Sequence, residues 1–327
     1  MRKKIAFIGM GGTIASIGRD AFDLLDYNAT GERIDADALI ERTGLQGVIA
    51  DILPINFRLI DSTAVTPADW FDLAELCHDL ARDPDLDGIV IGHGTASLEE
   101  TAWLLSLVLD PAIPVVLTGS MRPLTGVSSD APANLAAAIR VAAAPATGPG
   151  VIVVINDEIH SPRTVTKAHT LRLNAFRSPW SGPLGFVDGP FVRFDRSQRN
   201  GSAGTFRHTL LRTLPRVDIV YSYVGADGCA IRAFVAAGAK GVVSAGFGPG
   251  MGTPEETAAL HEAVRQGVVV VQTARTGAGQ VVDSAHHQRL GIIAGNDLSP
   301  QKARILLALC LARGDDAGRI AEVFQAV

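Results

Sequence analysis

Short runs of consecutive apolar residues, rich in Val and Ile, recur at 4–10, 48–53, 88–92, 114–118 and 150–155. They are apolar at successive positions rather than alternate ones, the pattern of strands covered by helices on both faces. Helical segments with readable starts lie between them. Thr66-Pro67 sets a capping residue before a proline at the first helical position, and Trp70, Leu73, Ala74 and Cys77 then share one face. Ser97-Leu98-Glu99-Glu100 reads as a capping box, with Ser97 and Glu100 satisfying each other's backbone N–H groups. Leu98, Ala102, Leu105 and Leu109 follow on one stripe. This alternation predicts an α/β fold with a doubly wound, mostly parallel sheet.

A second strand and helix series begins after residue 213. Its strands are expected at 217–223, 240–245, 268–272 and 291–294, with helices opened by Thr253-Pro254-Glu255-Glu256 and Ser299-Pro300. The stretch from 179 to 204 is dense in Gly, Pro, Arg and Ser, with one short strand candidate at 191–194. Two domains follow: an N-terminal catalytic α/β domain over 1–190, a linker over 191–212 and a C-terminal α/β domain over 213–327. The 327 residues suit two domains, and 47% hydrophobic against 19% charged residues supplies a large core.

The net charge of −5, the lack of a Lys/Arg block and the few aromatics argue against a nucleic-acid partner. Cys77, Cys229 and Cys310 are odd in number and far apart, so neither a disulfide framework nor a metal spacing follows, and reduced thiols are expected. Met1-Arg2-Lys3-Lys4 has the charge of a signal peptide's first region, but the apolar run after it stops at Gly9, as a first strand would. No apolar stretch approaches the roughly 20 residues of a membrane span. The expectation is a cytoplasmic protein that does not engage a membrane.

Gly9-Met10-Gly11-Gly12-Thr13-Ile14-Ala15 follows the first strand, where doubly wound sheets bind ligands. A dinucleotide fingerprint fits it poorly, because Ile14 stands where glycine or alanine is needed. A plain tight turn and a loop presenting Thr13 as nucleophile both remain open. Four further segments place small polar groups near other strand ends: Ser62 with Thr63, Gly92-His93-Gly94-Thr95, Thr118-Gly119-Ser120 and Thr166-Lys167. Each alone reads as a turn, a cap or a solvated charge. Together they form a polar set around a candidate nucleophile. Zinc is the weaker reading. His286 and His287 are adjacent and lack helical ligand spacing; His93 stands alone, and His160 and His169 beside Lys167 suit core or surface roles.

At these residues the chain closely resembles the bacterial asparaginase/glutaminase family. The resemblance is carried by Gly11-Gly12-Thr13-Ile14-Ala15, His93-Gly94-Thr95, Leu98-Glu99-Glu100-Thr101-Ala102, Gly119-Ser120-Met121-Arg122-Pro123, Ser129 to Leu135, Val165-Thr166-Lys167 and Pro300 to Arg304. It implies a larger N-terminal domain, a smaller flavodoxin-like C-terminal domain and a homo-tetramer of tight dimers in which a neighbour completes each site. It implies a small-molecule amide substrate and no cofactor or metal. Residue by residue, it implies that Thr13 attacks the amide carbon with Tyr27 beside it on the loop that follows. Thr95 and Lys167 form a second catalytic unit, Ser62 binds the substrate carboxylate, and Ser120 stands where the scissile amide is positioned. Thr63 and Ala96 complete the expected binding set. Backbone N–H groups near Ala96 are the expected oxyanion donors.

The pattern departs from the family at one pocket. Ala96 stands where the resemblance implies an aspartate gripping an α-ammonium group; Ser284 and Pro249 stand where it implies a glutamate and an asparagine, with Asp283 next to the former. An ammonium without its carboxylate forgoes a charge-assisted bond of roughly 1.5–3 kcal/mol. Two expectations follow: asparagine or glutamine hydrolysis, or hydrolysis of an amide, lactam or imide that bears a carboxylate and lacks a free α-amine. A catalytically silent ligand-binding protein is the reading from another class.

Overall fold

A computed structural model describes residues 2–30, 32–197, 205–206 and 213–327. The chain divides into two compact units, residues 1–208 and 209–327.

The N-terminal unit contains β1 (Lys4–Gly11), α1 (Ala36–Thr43), β2 (Asp51–Ile60), α2 (Pro67–Leu80), β3 (Gly88–Gly92), α3 (Leu98–Val108), β4 (Pro114–Thr118), α4 (Ala131–Ala143), β5 (Gly150–Ile155), β6 (Glu158–His160), β7 (Thr166–Lys167), β8 (Phe176–Arg177), β9 (Gly185–Asp188) and β10 (Phe191–Phe194). Eight strands form one sheet in the order β10-β9-β6-β5-β4-β3-β1-β2. The five from β5 to β2 run parallel, and β6, β9 and β10 extend the sheet antiparallel. β7 and β8 form a separate antiparallel ribbon.

Strands β3, β4 and β5 are buried at every position, as their unbroken apolar runs predict. Successive side chains point to opposite faces. Phe7, Val90, Val116 and Ile152 therefore meet Leu39, Ile40, Leu135 and Ile139 of α1 and α4. Ile8, Ile89, Ile91, Val115 and Val153 meet Leu73, Ala74, Cys77, Leu98 and Leu105 of α2 and α3 on the other face.

Three local expectations are corrected. The second strand lies at Asp51–Ile60, not at 48–53. Residues 47–50 close a turn, with Gly47 at φ 69° and its N–H on Ala50 O. β2 is the sheet's edge, half exposed and interrupted by Pro54, which an edge tolerates because one row of N–H groups has no strand to meet. Second, Ser97 makes no capping hydrogen bond with its side chain, so the expected box is not formed. Third, 191–194 are the sheet's last strand rather than the start of a linker. Phe206 is buried and donates its N–H to Leu107 O. The rest of the expected linker, 198–204 and 207–212, lies outside the described residues.

The C-terminal unit contains β11 (Val217–Tyr221), α5 (Cys229–Ala236), β12 (Gly241–Gly246), α6 (Pro254–Arg265), β13 (Val269–Ala274), α7 (Ala285–Leu290), β14 (Ile293–Ala294), α8 (Pro300–Arg313) and α9 (Ala317–Ala326). Its four strands are parallel in the order β11-β12-β13-β14. Thr253 and Glu256 form a complete capping box on α6. Pro300 opens α8, although the Ser299 side chain makes no capping bond. Among the described residues, no helix is long and apolar enough to cross a membrane.

Candidate active site

The loops after β1, β2 and β3 are pressed together by missing side chains. Gly12 has φ 74°, and a Cβ there would lie 2.2 Å from Gly94 Cα. A Cβ on Gly94 would lie 2.6 Å from Ser62 Oγ. The glycine-rich loop therefore abuts Gly94 and continues as a one-turn 3-10 helix, Thr13–Ala15. Neither the open backbone cradle nor the long helix of a dinucleotide site is present there. Ile14 and Ala15 are buried, which anchors the turn and leaves Thr13 partly exposed. Thr13 Oγ1 lies 2.9 Å from the Tyr27 hydroxyl, and either can donate. The loop between them is tied down: Asp23 accepts the Arg19 N–H and Nε, Gly18 N–H meets Thr125 Oγ1, and Val127 N–H meets Ala21 O.

A second hydroxyl is paired at the end of β3. Lys167 Nζ donates to Thr95 Oγ1 at 2.8 Å, and Lys167 N–H donates to Glu99 Oε2 at 2.9 Å. Thr95 is 5% exposed. Burial pushes the Lys167 amine below the ordinary lysine value, and the nearby Glu99 charge opposes that shift. The turn carrying Thr95 is held by His93. Trp70 Nε1 donates to Thr101 Oγ1 at 2.8 Å, and Thr101 Oγ1 lies 2.9 Å from His93 Nε2. The Gly94 carbonyl, 2.8 Å from Nδ1, can only accept, so the proton of the neutral ring is on Nδ1, and Nε2 accepts from the Thr101 hydroxyl. The imidazole is neutral, with its pKa pushed down to about 4 by burial.

Ser62 lies in a 3-10 turn after β2. Its Oγ accepts the Ala96 N–H at 3.1 Å, and its carbonyl accepts the Ser97 hydroxyl at 2.6 Å. These two bonds account for the missing cap at the head of α3. Ser97 braces the Ser62 turn instead of capping its own helix, and the Ala96 N–H is directed at Ser62. Thr63 is exposed beside them. Ser120 is fully buried, with its hydroxyl on Arg122 O at 2.7 Å. The Ser120 hydroxyl proton is therefore already committed within its own loop. Asp130 fixes the loop by accepting the N–H groups of Met121 and Arg122.

Glu99, His93 with Thr101, and Asp130 were not singled out for these roles by sequence. Their own neighbours in the chain carry no trace of them; the Lys167–Glu99 bond spans 68 positions. The segment Leu98-Glu99-Glu100-Thr101-Ala102 includes Glu99 but says nothing of its bond to Lys167.

Comparison with known proteins bears on the whole chain. Residues 4–200 match the family "Asparaginase, N-terminal", and residues 216–324 match the "Glutaminase/Asparaginase C-terminal domain". The chain belongs to the asparaginase/glutaminase family. It is 37% identical over 323 residues to L-asparaginase 2 of Bacillus subtilis (strain 168), covering 98% of this chain and 86% of that protein. It is 36% identical over 333 residues to the glutaminase-asparaginase of Acinetobacter glutaminasificans, covering 99% of each. The crystal structure of a probable cytoplasmic L-asparaginase from Campylobacter jejuni superposes with a TM-score of 0.93 at 37% identity, covering 100% of both chains.

Within this family member, the region that departed from the sequence pattern has a definite structure. Ala96 presents an exposed methyl group. The Asp61 carboxylate next to Ser62 is held by Arg33 at 2.6 Å. In the C-terminal unit, Ser284 caps α7 by accepting the His287 N–H, and Asp283 accepts Gln288 Nε2 at 2.8 Å. Among the described residues, no group of three or more His, Cys, Asp or Glu side chains is placed to hold a metal ion.

Proposed function

We propose that this chain hydrolyses the C–N bond of a small carboxylate-bearing amide through an acyl–Thr13 intermediate, as an asparaginase/glutaminase. The observation that carries this reading is the pairing of Lys167 with Thr95 at 2.8 Å, with the amine pushed toward its free base by burial. A threonine hydroxyl is a weak nucleophile and needs a route for its proton. Thr13 attacks the amide carbon beside Tyr27, and its proton passes through Thr95 to Lys167. The leaving amine takes a proton, and water then releases the acid from Thr13. Ser62 accepts the Ala96 N–H, so its own proton can meet the substrate carboxylate. Thr63 and Ala96 line that pocket, and the Ser120 loop contributes main-chain groups to the amide. A cytoplasmic homo-tetramer is the setting we propose, tested by sedimentation and cell fractionation.

Ala96 favours a second reading. With a methyl group there, and with Asp61 already paired to Arg33, a substrate lacking a free α-ammonium group fits better than asparagine. Wild type and Ala96→Asp are to be compared on asparagine, glutamine, succinamate, N-acyl asparagine and small imides or lactams. Ammonia is followed for the open amides and ring-opened acid for the cyclic ones. Rapid release from asparagine supports the first reading. Turnover confined to substrates without the amine, with asparagine gained in Ala96→Asp, supports the second. Thr13→Ala is expected to lower kcat by roughly a thousandfold or more. A ligand-binding protein without turnover would leave the whole panel untouched and bind a ligand equally well with alanine at 13.

A further inference from the structure

A buried polar chain lies behind Lys167. His160, on β6, is fully buried, and its Nδ1 lies 3.1 Å from Ser178 Oγ. Thr164 Oγ1 donates to the same Ser178 oxygen at 3.1 Å. His160 Nε2 lies 3.3 Å from Glu158 Oε2, an electrostatic contact outside hydrogen-bond geometry. Serine, histidine and carboxylate are the parts of a nucleophilic triad. Ser178 is only 6% exposed and its oxygen already receives Thr164, which leaves an incoming carbonyl no approach. The proton order follows from Glu158: its carboxylate can only accept, so the proton of the neutral ring sits on Nε2 facing it, and Nδ1 accepts from the Ser178 hydroxyl, whose oxygen receives Thr164.

What the chain ties together indicates its use. β7 and β8 stand outside the eight-stranded sheet, and Lys167 is the last residue of β7. Thr164 precedes Lys167 by three residues, and Ser178 directly follows β8, so the polar chain grips both strands of the ribbon and fastens them to β6. Val165, Ala175 and Phe176 add a buried apolar seat. A lysine reaches through a flexible four-carbon stem, so its contact with Thr95 depends on where the ribbon holds its backbone.

We propose that His160 is a positioning residue for Lys167: by accepting Ser178 at Nδ1 it seats the β7–β8 ribbon so that the amine meets Thr95. This rests on the role given to Lys167 above. The test compares wild type, His160→Leu, His160→Asn, Ser178→Ala and Lys167→Met, on whichever of asparagine, glutamine and succinamate the wild type turns over fastest. kcat, KM and the thermal midpoint are measured for each. His160→Leu removes the acceptor at similar volume, and Ser178→Ala removes the donor. Both are expected to lose roughly tenfold to a hundredfold in kcat with KM nearly unchanged, the cost of misplacing a reacting group by about an ångström. His160→Asn keeps an acceptor near Nδ1 and is expected to recover most of kcat. If His160→Leu does not fold, Ser178→Ala and His160→Asn decide alone. Wild-type kcat in Ser178→Ala, or kcat and KM failing together with no recovery in His160→Asn, overturns the proposal. Full activity in Lys167→Met, or a wild type silent on all three amides, removes the reading beneath it. An inactive Lys167→Met beside an unaffected Ser178→Ala removes the positioning role alone.

Discussion

Two opposed effects set the proton affinity of Lys167. Burial favours the free amine, and the Glu99 carboxylate favours the ammonium. If the free amine is the working form, activity falls as pH drops through the Lys167 value, which lies below that of an ordinary lysine. Removing the Glu99 charge should lower that value further. Glu99→Gln keeps an oxygen for the Lys167 N–H and is expected to move the acidic limb of kcat/KM to lower pH; a limb that stays put or moves upward would separate Glu99 from the titration. At Gly12 the relevant force is steric. An added Cβ would meet Gly94 Cα at 2.2 Å with the backbone at φ 74°, so Gly12→Ala should cost roughly 1–3 kcal/mol in strain and displace Thr13. Denaturant unfolding and kcat should both register it. The apolar runs of the sequence showed only a set of small polar groups near strand ends; it was the resemblance to a known family that gave Thr13, Ser62, Thr95 and Lys167 their expected roles. What fixes them was not legible in the sequence. The Thr95–Lys167 bond spans 72 positions, and no local spacing rule reaches that far.

Helix starts show how far a local pattern can be trusted. Thr66-x-x-Asp69 and Thr253-x-x-Glu256 form complete capping boxes, whereas Ser97-x-x-Glu100 has the same letters and forms none. A nearby acceptor decides the case, because Ser97 finds the Ser62 carbonyl across the gap between two loops. The two serine and threonine sites should therefore respond differently to alanine. Thr253→Ala removes a cap and a bond to Ala226 O, and should destabilise the chain by about 1 kcal/mol in chemical denaturation without altering KM. Ser97→Ala should leave stability nearly unchanged and raise KM, since it loosens the turn proposed to hold the substrate carboxylate. A stability loss with constant KM would return Ser97 to a capping role. Strand β2 carries the complementary lesson. The central strands were readable because burial on both faces forces unbroken apolar runs. An edge strand meets no such demand, and DILPINFRLI looked like a strand only at its first residues.

For the whole molecule, acid stability follows from where the perturbed groups sit. His93 is neutral and buried, with a folded pKa of about 4 against 6.5. As pH falls below 6.5 the unfolded chain takes up a proton that the folded chain refuses. The stabilisation is complete above 6.5 and is lost progressively down to about 4, at up to about 1.4 kcal/mol per pH unit. Asp87, hydrogen-bonded by Lys3 and the Lys4 N–H, and Asp23, held by Arg19, are depressed below the ordinary carboxylate value of 3.8. They lose their contribution only as pH falls through that lower range. Asp157 acts in the opposite sense, since partial desolvation and Asp188 raise it, but it is exposed to water and its effect is damped. Among these groups, the interval from 6.5 toward 4 is therefore governed mainly by His93. All four lie in the N-terminal unit, as do Trp70, Trp103 and Trp180. Tryptophan fluorescence therefore follows the unit that acid weakens, while far-ultraviolet dichroism follows the helices of both. Between pH 7 and pH 5 the fluorescence midpoint of thermal unfolding should fall, and by more than the dichroism midpoint. Two midpoints that move together would mean that the units, each with its own core, unfold as one cooperative block. A fluorescence midpoint that does not move would mean that His93 titrates as it does in the unfolded chain, and the hydrogen-bond order from Trp70 through Thr101 to Gly94 would have to be reassigned.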